Sequence, residues 1–269
     1  MDGLQCAELF ALVRSKRPLV HHITNTVTIN DCANITLCSG ASPVMAEAPE
    51  ESADMAALSG ALVLNIGTLT SAQVDSMVLA GSRANALGIP VILDPVGVGA
   101  TRMRTAAVLR LIEDLDIAIL KGNQGEIGVI SGLGGTVRGV DSGGVRGDPV
   151  EAVRECARTT GTVVAMTGEV DIVADERRVC LVENGSSMMG ELSGTGCMAA
   201  SVTGAFAAVS DDPVTAAVAA LALFGLAGER AAAQSFGPYS FRTALFDAMY
   251  TLTPDDLAAG AKVREQDGI

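Results

Sequence analysis

Three observations on this 269-residue chain predict an α/β fold built on a mainly parallel sheet with helices on both faces. Short β-branched runs alternate with longer helical patterns, as βαβ units do. An apolar content of 49% can furnish a large core, and with Trp absent and aromatics at 3% that core must be filled by Ala, Val, Leu, Ile and Met. Chemistry-bearing residues follow the runs, where an open parallel sheet binds ligands. With no linker composition and no internal repeat, residues 1–269 are expected to form a single domain.

Taken in order, the runs Pro18–Ile23, Ala61–Ile66, Pro90–Leu93, Ile117–Leu120 and Thr162–Met166 read as parallel strands covered on both faces. Between them, Ser71–Leu87 has helical composition and opens on a Ser71 cap, and Arg102–Glu113 is a second helix. The glycine-rich stretch 132–147 reads as an excursion before Pro149 and Val150 start another helix. Asp171–Ala174 and Arg178–Val182 flank Asp175-Glu176-Arg177 as a hairpin, which breaks the alternation. Three apolar helices are expected to close the chain. Among them, Val214–Gly228 is bounded by charges and falls short of the about 20 residues a bilayer needs, so it reads as a core helix.

A net charge of −13, with Lys16, Lys121 and Lys262 the only lysines, argues against a nucleic-acid partner, because such affinity rests on cations that neutralise phosphates. Nor is a membrane partner expected. The start Met1-Asp2-Gly3-Leu4-Gln5 lacks the basic residues and apolar run of a secretory signal, so a cytoplasmic location is the expectation. Six cysteines without C-x-x-C spacing predict thiols rather than disulfides, five of them buried. Cys197 differs, since a helix start there is expected to lower its thiol pKa.

The strand ends carry a consistent set: Gly67-Thr68, then Asp94-Pro95, then Lys121-Gly122-Asn123 with Glu126, then Thr167-Gly168. Asp94 and Glu126 supply two carboxylates from adjacent strand ends, which suits a Mg²⁺ that keeps much of its water and bridges nucleotide phosphates. Lys121 offers a point charge, Asn123 an amide. The plainer reading makes Asp94-Pro95 a turn and Glu126 a first-turn carboxylate on a helix dipole. Downstream, Ser193-Gly194-Thr195-Gly196-Cys197 leads into an Ala-rich helix, where glycines let backbone N–H groups converge on an oxyanion. His21 and His22 lack metal-ligand spacing and read as structural, and Met188 and Met189 as core filler.

These motifs resemble the hydroxyethylthiazole kinases, thiamine-salvage members of the ribokinase-like superfamily. The resemblance runs nearly end to end: His22-Ile23-Thr24-Asn25, Gly40 to Ala46, Asp94 to Thr101, Lys121-Gly122-Asn123, Arg138 to Ser142 and Gly194 to Cys197. It implies a ribokinase-like three-layer fold and ATP-dependent phosphorylation of the hydroxyl of 4-methyl-5-(2-hydroxyethyl)thiazole. Met45, Gly194, Asn25 and Gly67 would then border the thiazole. Lys121, Thr167, Asn123 and Gly168 would meet ATP, and Asp94 and Glu126 would hold Mg²⁺ through water. A homotrimer with pockets between subunits is implied as well. Many superfamily members carry Asp where this chain has Cys197, so Cys197, Gly194 and Gly196 are the candidate catalytic group. Alternatives are an ADP-dependent dehydratase of hydrated nicotinamide nucleotides and a non-catalytic nucleotide-binding regulator.

Overall fold

The alternating runs assemble into a nine-stranded sheet in a computed structural model that describes residues 1–132, 136–138, 141–143 and 148–266. Helix α1 (Gly3–Lys16) starts on a capping box made by Asp2 and Gln5, and β1 (Leu19–Ile23), α2 (Ile29–Ser39) and β2 (Ser42–Met45) follow. Next come α3 (Ser52–Leu58), β3 (Ala61–Asn65), α4 (Ser71–Ala86), β4 (Val91–Asp94), α5 (Arg102–Asp114), β5 (Ile119–Asn123) and α6 (Gln124–Ile130). A small antiparallel pair, β6 (Thr136–Arg138) and β7 (Asp141–Gly143), precedes α7 (Pro149–Thr160), β8 (Val163–Thr167), β9 (Asp171–Ala174) and β10 (Val179–Val182). A 3-10 turn over Ser187–Glu191 leads to α8 (Thr195–Ala207), α9 (Pro213–Ala232), α10 (Pro238–Thr251), α11 (Pro254–Gly260) and β11 (Val263–Gln266).

The large sheet runs β11-β10-β9-β8-β5-β4-β3-β1-β2, parallel from β8 to β2 and antiparallel from β8 through β11. Side chains alternate across it, so β1, β3, β4, β5 and β8 each feed two cores. Val20, Val63, Ile92, Ile119 and Ala165 pack with α1, α8, α9 and α10. Leu62, Leu64, Leu93, Leu120 and Val164 pack with α4, α5 and α7 on the other face. The result is the expected three-layer arrangement.

Several details differ from the sequence reading. Strand β2 leaves little signal in the sequence, because it is four residues long and contains Pro43, which an edge strand tolerates. The cap of α4 is Thr70, whose side chain accepts the Gln73 N–H, so Ser71 is the first helical residue. Helix α9 extends past Val214–Gly228 at both ends, starting at Pro213 beside the Asp212 cap and running on to Ala232. By length and apolarity it could cross a membrane, but 83% of its apolar window is buried, as in a core helix. Four helices and a strand close the described chain instead of three helices. Cys38, near the end of α2, is half-buried rather than buried; all six thiols are free. Of the stretch 132–147, Gly132, β6 and β7 are described; the remainder, including the Gly139-Val140 part of one motif, lies outside the described residues.

Candidate active site

Parallel strands place their carboxyl ends on one rim, and here β1, β3, β4 and β5 are consecutive neighbours. Asp94 ends β4 in register with Asn65 on β3. Lys121 lies on β5, and Asn25 follows β1 by two residues. All four side chains are buried.

Hydrogen bonds tie them together. The Asn65 Nδ2 donates to Asp94 Oδ2 at 2.7 Å and to Cys197 Sγ at 3.3 Å. Its Oδ1 accepts from Asn25 Nδ2 at 3.0 Å and from the Gly67 N–H at 2.9 Å. Asn25 Nδ2 also donates to Cys197 Sγ at 3.3 Å, while its Oδ1 accepts the Thr28 N–H and hydroxyl.

Charge in this cluster is only loosely compensated. Lys121 Nζ stands 3.8 Å from Asp94 Oδ1, longer than a hydrogen bond, with both groups almost fully out of water. Burial pushes the Asp94 carboxyl up to about 7, and Glu126 adds to the rise while Lys121 opposes it. For Lys121, burial works to lower the ammonium pKa, but Asp94 and Glu126 outweigh it and the net shift is upward. The Cys197 thiol is raised, first by burial and then by Asp94, against Lys121. The expectation of a lowered thiol pKa is therefore wrong: the helix start is there, but desolvation and a neighbouring carboxyl outweigh it.

Helix α8 aims its N-terminus at this cluster. Gly194 is its cap, at φ +93°, and a Cβ there would stand 2.4 Å from Thr28 Cγ2. Gly196 comes closer to the chemistry, since a Cβ on it would lie 3.1 Å from Lys121 Nζ. The free amides of this turn and the lysine thus border one space. Next to it opens a cavity of about 950 Å³, lined among others by Thr167, Gly168, Asp171, Met189, Thr195 and Gly196. Thr167 Oγ1 donates to the Gly122 carbonyl at 3.4 Å, and Asp171 Oδ1 accepts the Gly168 N–H at 3.0 Å.

Glu126 takes the first-turn position of the plainer reading. Buried in the first turn of α6, it accepts the Gly97 and Asn123 N–H groups at 2.8 Å each, and its charge acts on Asp94 and Lys121. Asn123 caps the same helix, its Oδ1 accepting the Glu126 N–H at 3.0 Å.

A rim of this kind suits transfer of an anionic group, and similarity to known proteins narrows the reading. The hydroxyethylthiazole kinase family model matches residues 10–255. The chain belongs to the hydroxyethylthiazole kinase family. A hydroxyethylthiazole kinase of Methanoculleus marisnigri is 68% identical over 266 residues, which span 99% of this chain and 95% of that one. The solved structure of a hydroxyethylthiazole kinase from Pyrococcus horikoshii OT3 matches with a TM-score of 0.90 at 42% identity, covering 97% of this chain and 99% of its own. Pyridoxal kinase from Staphylococcus aureus, solved with AMP-PCP and pyridoxal, shares the ribokinase-like fold at a TM-score of 0.58 and 15% identity, over 79% of this chain and 88% of its own.

As a member of the hydroxyethylthiazole kinase family, the chain is an ATP-using phosphotransferase with an alcohol as acceptor, acting in thiamine salvage. Its fold brings Asn25, Gly67, Asp94, Lys121, Gly194, Gly196 and Cys197 into one region and sets Thr167 and Gly168 on the adjoining cavity. Met45 stands apart. It ends edge strand β2 in register with His22, three strands from β4. His21 and His22 are buried, bonded to the Ala46 and Val20 carbonyls, and burial lowers both pKa values, His22 to about 4. Met189 lines the cavity as well as packing on the core, so core filling describes only part of its position.

Two further residues hold the site together without a motif to mark them. Asn65 hides inside an apolar run, where an amide in a strand buried on both faces is the available signal. Arg104 donates to the Ile66, Gly67 and Val96 carbonyls at 3.0, 2.7 and 2.6 Å, clamping the turns after β3 and β4. Nothing in its local sequence marks it.

Proposed function

We propose that this chain moves the γ-phosphoryl group of ATP to the primary hydroxyl of 4-methyl-5-(2-hydroxyethyl)thiazole where Lys121 faces the Gly194–Cys197 turn. The observation that carries this reading is the close approach of Gly196 to Lys121 Nζ, which puts a helix N-terminus and a buried ammonium beside the same small volume. Phosphoryl transfer passes through a loose transition state, so catalysis rests on positioning and on stabilising charge over the equatorial oxygens. Backbone N–H groups from Gly194 to Cys197 and the Lys121 ammonium do the latter. The triphosphate lies along Thr167 and Gly168 with the nucleoside in the adjoining cavity, and Asn123 lies near the phosphates.

Asn25 and Gly67 border the thiazole together with Gly194, and hold the alcohol near Cys197. With a raised thiol pKa, Cys197 stays protonated near neutrality and serves as a small polar neighbour of the hydroxyl rather than as a strong base. Met45 ends edge strand β2, away from the rim cluster, and in this reading it serves the pocket of a neighbouring subunit in a homotrimer.

Among the described residues, no three His, Cys, Asp or Glu side chains converge to cage a metal by themselves. Two buried carboxyls beside a lysine, one already holding two backbone N–H groups, fit a hydrated Mg²⁺. Asp94 and Glu126 would hold it, and it would neutralise phosphate charge when bound. The enzyme so described is cytoplasmic.

A coupled ADP-release assay over thiazole, pyrimidine and sugar alcohols, with product identification, tests the proposal. Phosphorylated thiazole formed one for one with ADP is the expected result. A preference for another alcohol, a repaired dinucleotide, or ATP hydrolysis without transfer would overturn it.

A further inference from the structure

We propose that Asn65 is the positioning residue of this site: one amide nitrogen holds the Cys197 sulfur and the Asp94 carboxyl at a fixed separation, and the amide oxygen anchors both to the thiazole side. This builds on the functional reading above. The orientation of the amide follows from backbone chemistry. The Gly67 N–H can only donate, so the Asn65 atom 2.9 Å away is the oxygen, and the atom facing Asp94 and Cys197 is the NH₂. The same logic fixes Asn25, because the Thr28 N–H donates to its Oδ1. Both NH₂ groups therefore point at the sulfur, each at 3.3 Å.

Every polar position of Asn65 is then used. Its two N–H bonds go to Asp94 and Cys197, and its two oxygen lone pairs receive Asn25 and Gly67. At 1% exposure, no water competes for them. The four partners come from four segments: the turn after β1, the turn after β3, the end of β4 and the start of α8. A backbone shift in any of them is felt at Asn65, and Asn65 in turn sets how far the acceptor-side sulfur stands from the metal-side carboxyl.

Asn65→Asp keeps the shape but replaces the donor with a carboxylate facing Asp94; Asn65→Ala removes the group. If packing were all that mattered, the isosteric Asp variant would be the milder. A positioning donor requires the reverse order. We expect Asn65→Ala to lower kcat about 10- to 10²-fold and Asn65→Asp to lower it further, with the KM for ATP within about threefold of the parent in both. Melting curves identify folded variants. Should the Asp variant not fold, a cycle with Cys197→Ala decides: Asn65→Ala is expected to cost less in that background, because part of its effect acts through the sulfur. A milder Asp than Ala variant, a loss confined to KM, or full additivity in the cycle would overturn the proposal. A parent enzyme that fails to phosphorylate the thiazole alcohol would instead sink the functional reading.

Discussion

Two charged clusters in this molecule use similar groups to opposite effect. Arg178 meets Asp212 through two nitrogens at 2.7 Å each and Asp175 at 3.1 Å, all partly open to water, and Asp212 is pulled down to about 2, mainly by Arg178. At the rim, Lys121 and Asp94 stand 3.8 Å apart, nearly dry, with Asp94 pushed up to about 7. The first pair is geometrically complete and needs nothing further. The second has left the protection of water without full compensation from its partner, a condition that a phosphate-bound ion and a transferring anion would relieve.

Lys121→Met is expected to give the largest effect, about 10²- to 10³-fold or more in kcat, by analogy with loss of one anion-stabilising donor. Steady-state kinetics with a melting control checks it. Stability should fall less than for most broken buried pairs, because Asp94 sits close enough to neutrality to take up a proton. A Lys121→Met enzyme with parental kcat would erase the contrast between the clusters.

Cys197→Ala comes next. The loss in kcat should not exceed the about 10²- to 10⁴-fold typical of general-base removal, and the raised thiol pKa places it toward the lower end. Cys197→Asp should remain active. An Asp variant that folds and binds both ligands but does not turn over would show that a carboxylate cannot stand there.

Asp212→Ala should do the reverse of these two, leaving kcat unchanged and lowering stability. Asp212 caps α9 through the Val214 N–H, worth about 0.5–2 kcal/mol, while its half-exposed pair with Arg178 adds about 1 kcal/mol at most. Chemical denaturation measures the difference. Because its folded pKa is depressed, the Asp212 contribution is present above the unfolded value near 3.8 and is lost as pH falls toward about 2.

Asp171 carries the opposite sign in the pH dependence of stability. Burial raises its carboxyl to about 7, so between pH 4 and 7 the folded state binds the extra proton and stability declines as pH rises. Asp94 acts in the same direction. Asp171→Asn keeps an oxygen for the Gly168 N–H and should flatten part of that decline. A Tm-versus-pH slope identical to the parent would contradict it.

How much of this the sequence displayed follows from where each signal resides. Asp94, Lys121 and Glu126 were legible because charged residues closing apolar runs are conspicuous, and parallel-sheet geometry then brings them to one rim. The Gly194–Cys197 turn was legible through its glycines. Asn65 was not, since its importance comes from four tertiary partners rather than from neighbours in the chain. The direction of the Cys197 shift depends on burial and on Asp94, neither of which a helix-start pattern contains. Strand β2 was hidden by its brevity and Pro43, and Met45 at its end gained no partner in the rim cluster from the fold of one chain.

The position of the migrating phosphoryl is the central point. A crystal structure with a non-hydrolysable ATP analogue, Mg²⁺ and the thiazole alcohol should place the terminal phosphate within about 2.7–3.2 Å of backbone nitrogens in Gly194–Cys197 and of Lys121 Nζ. A terminal phosphate bound away from both, with Gly196 and Lys121 facing only solvent, would contradict it.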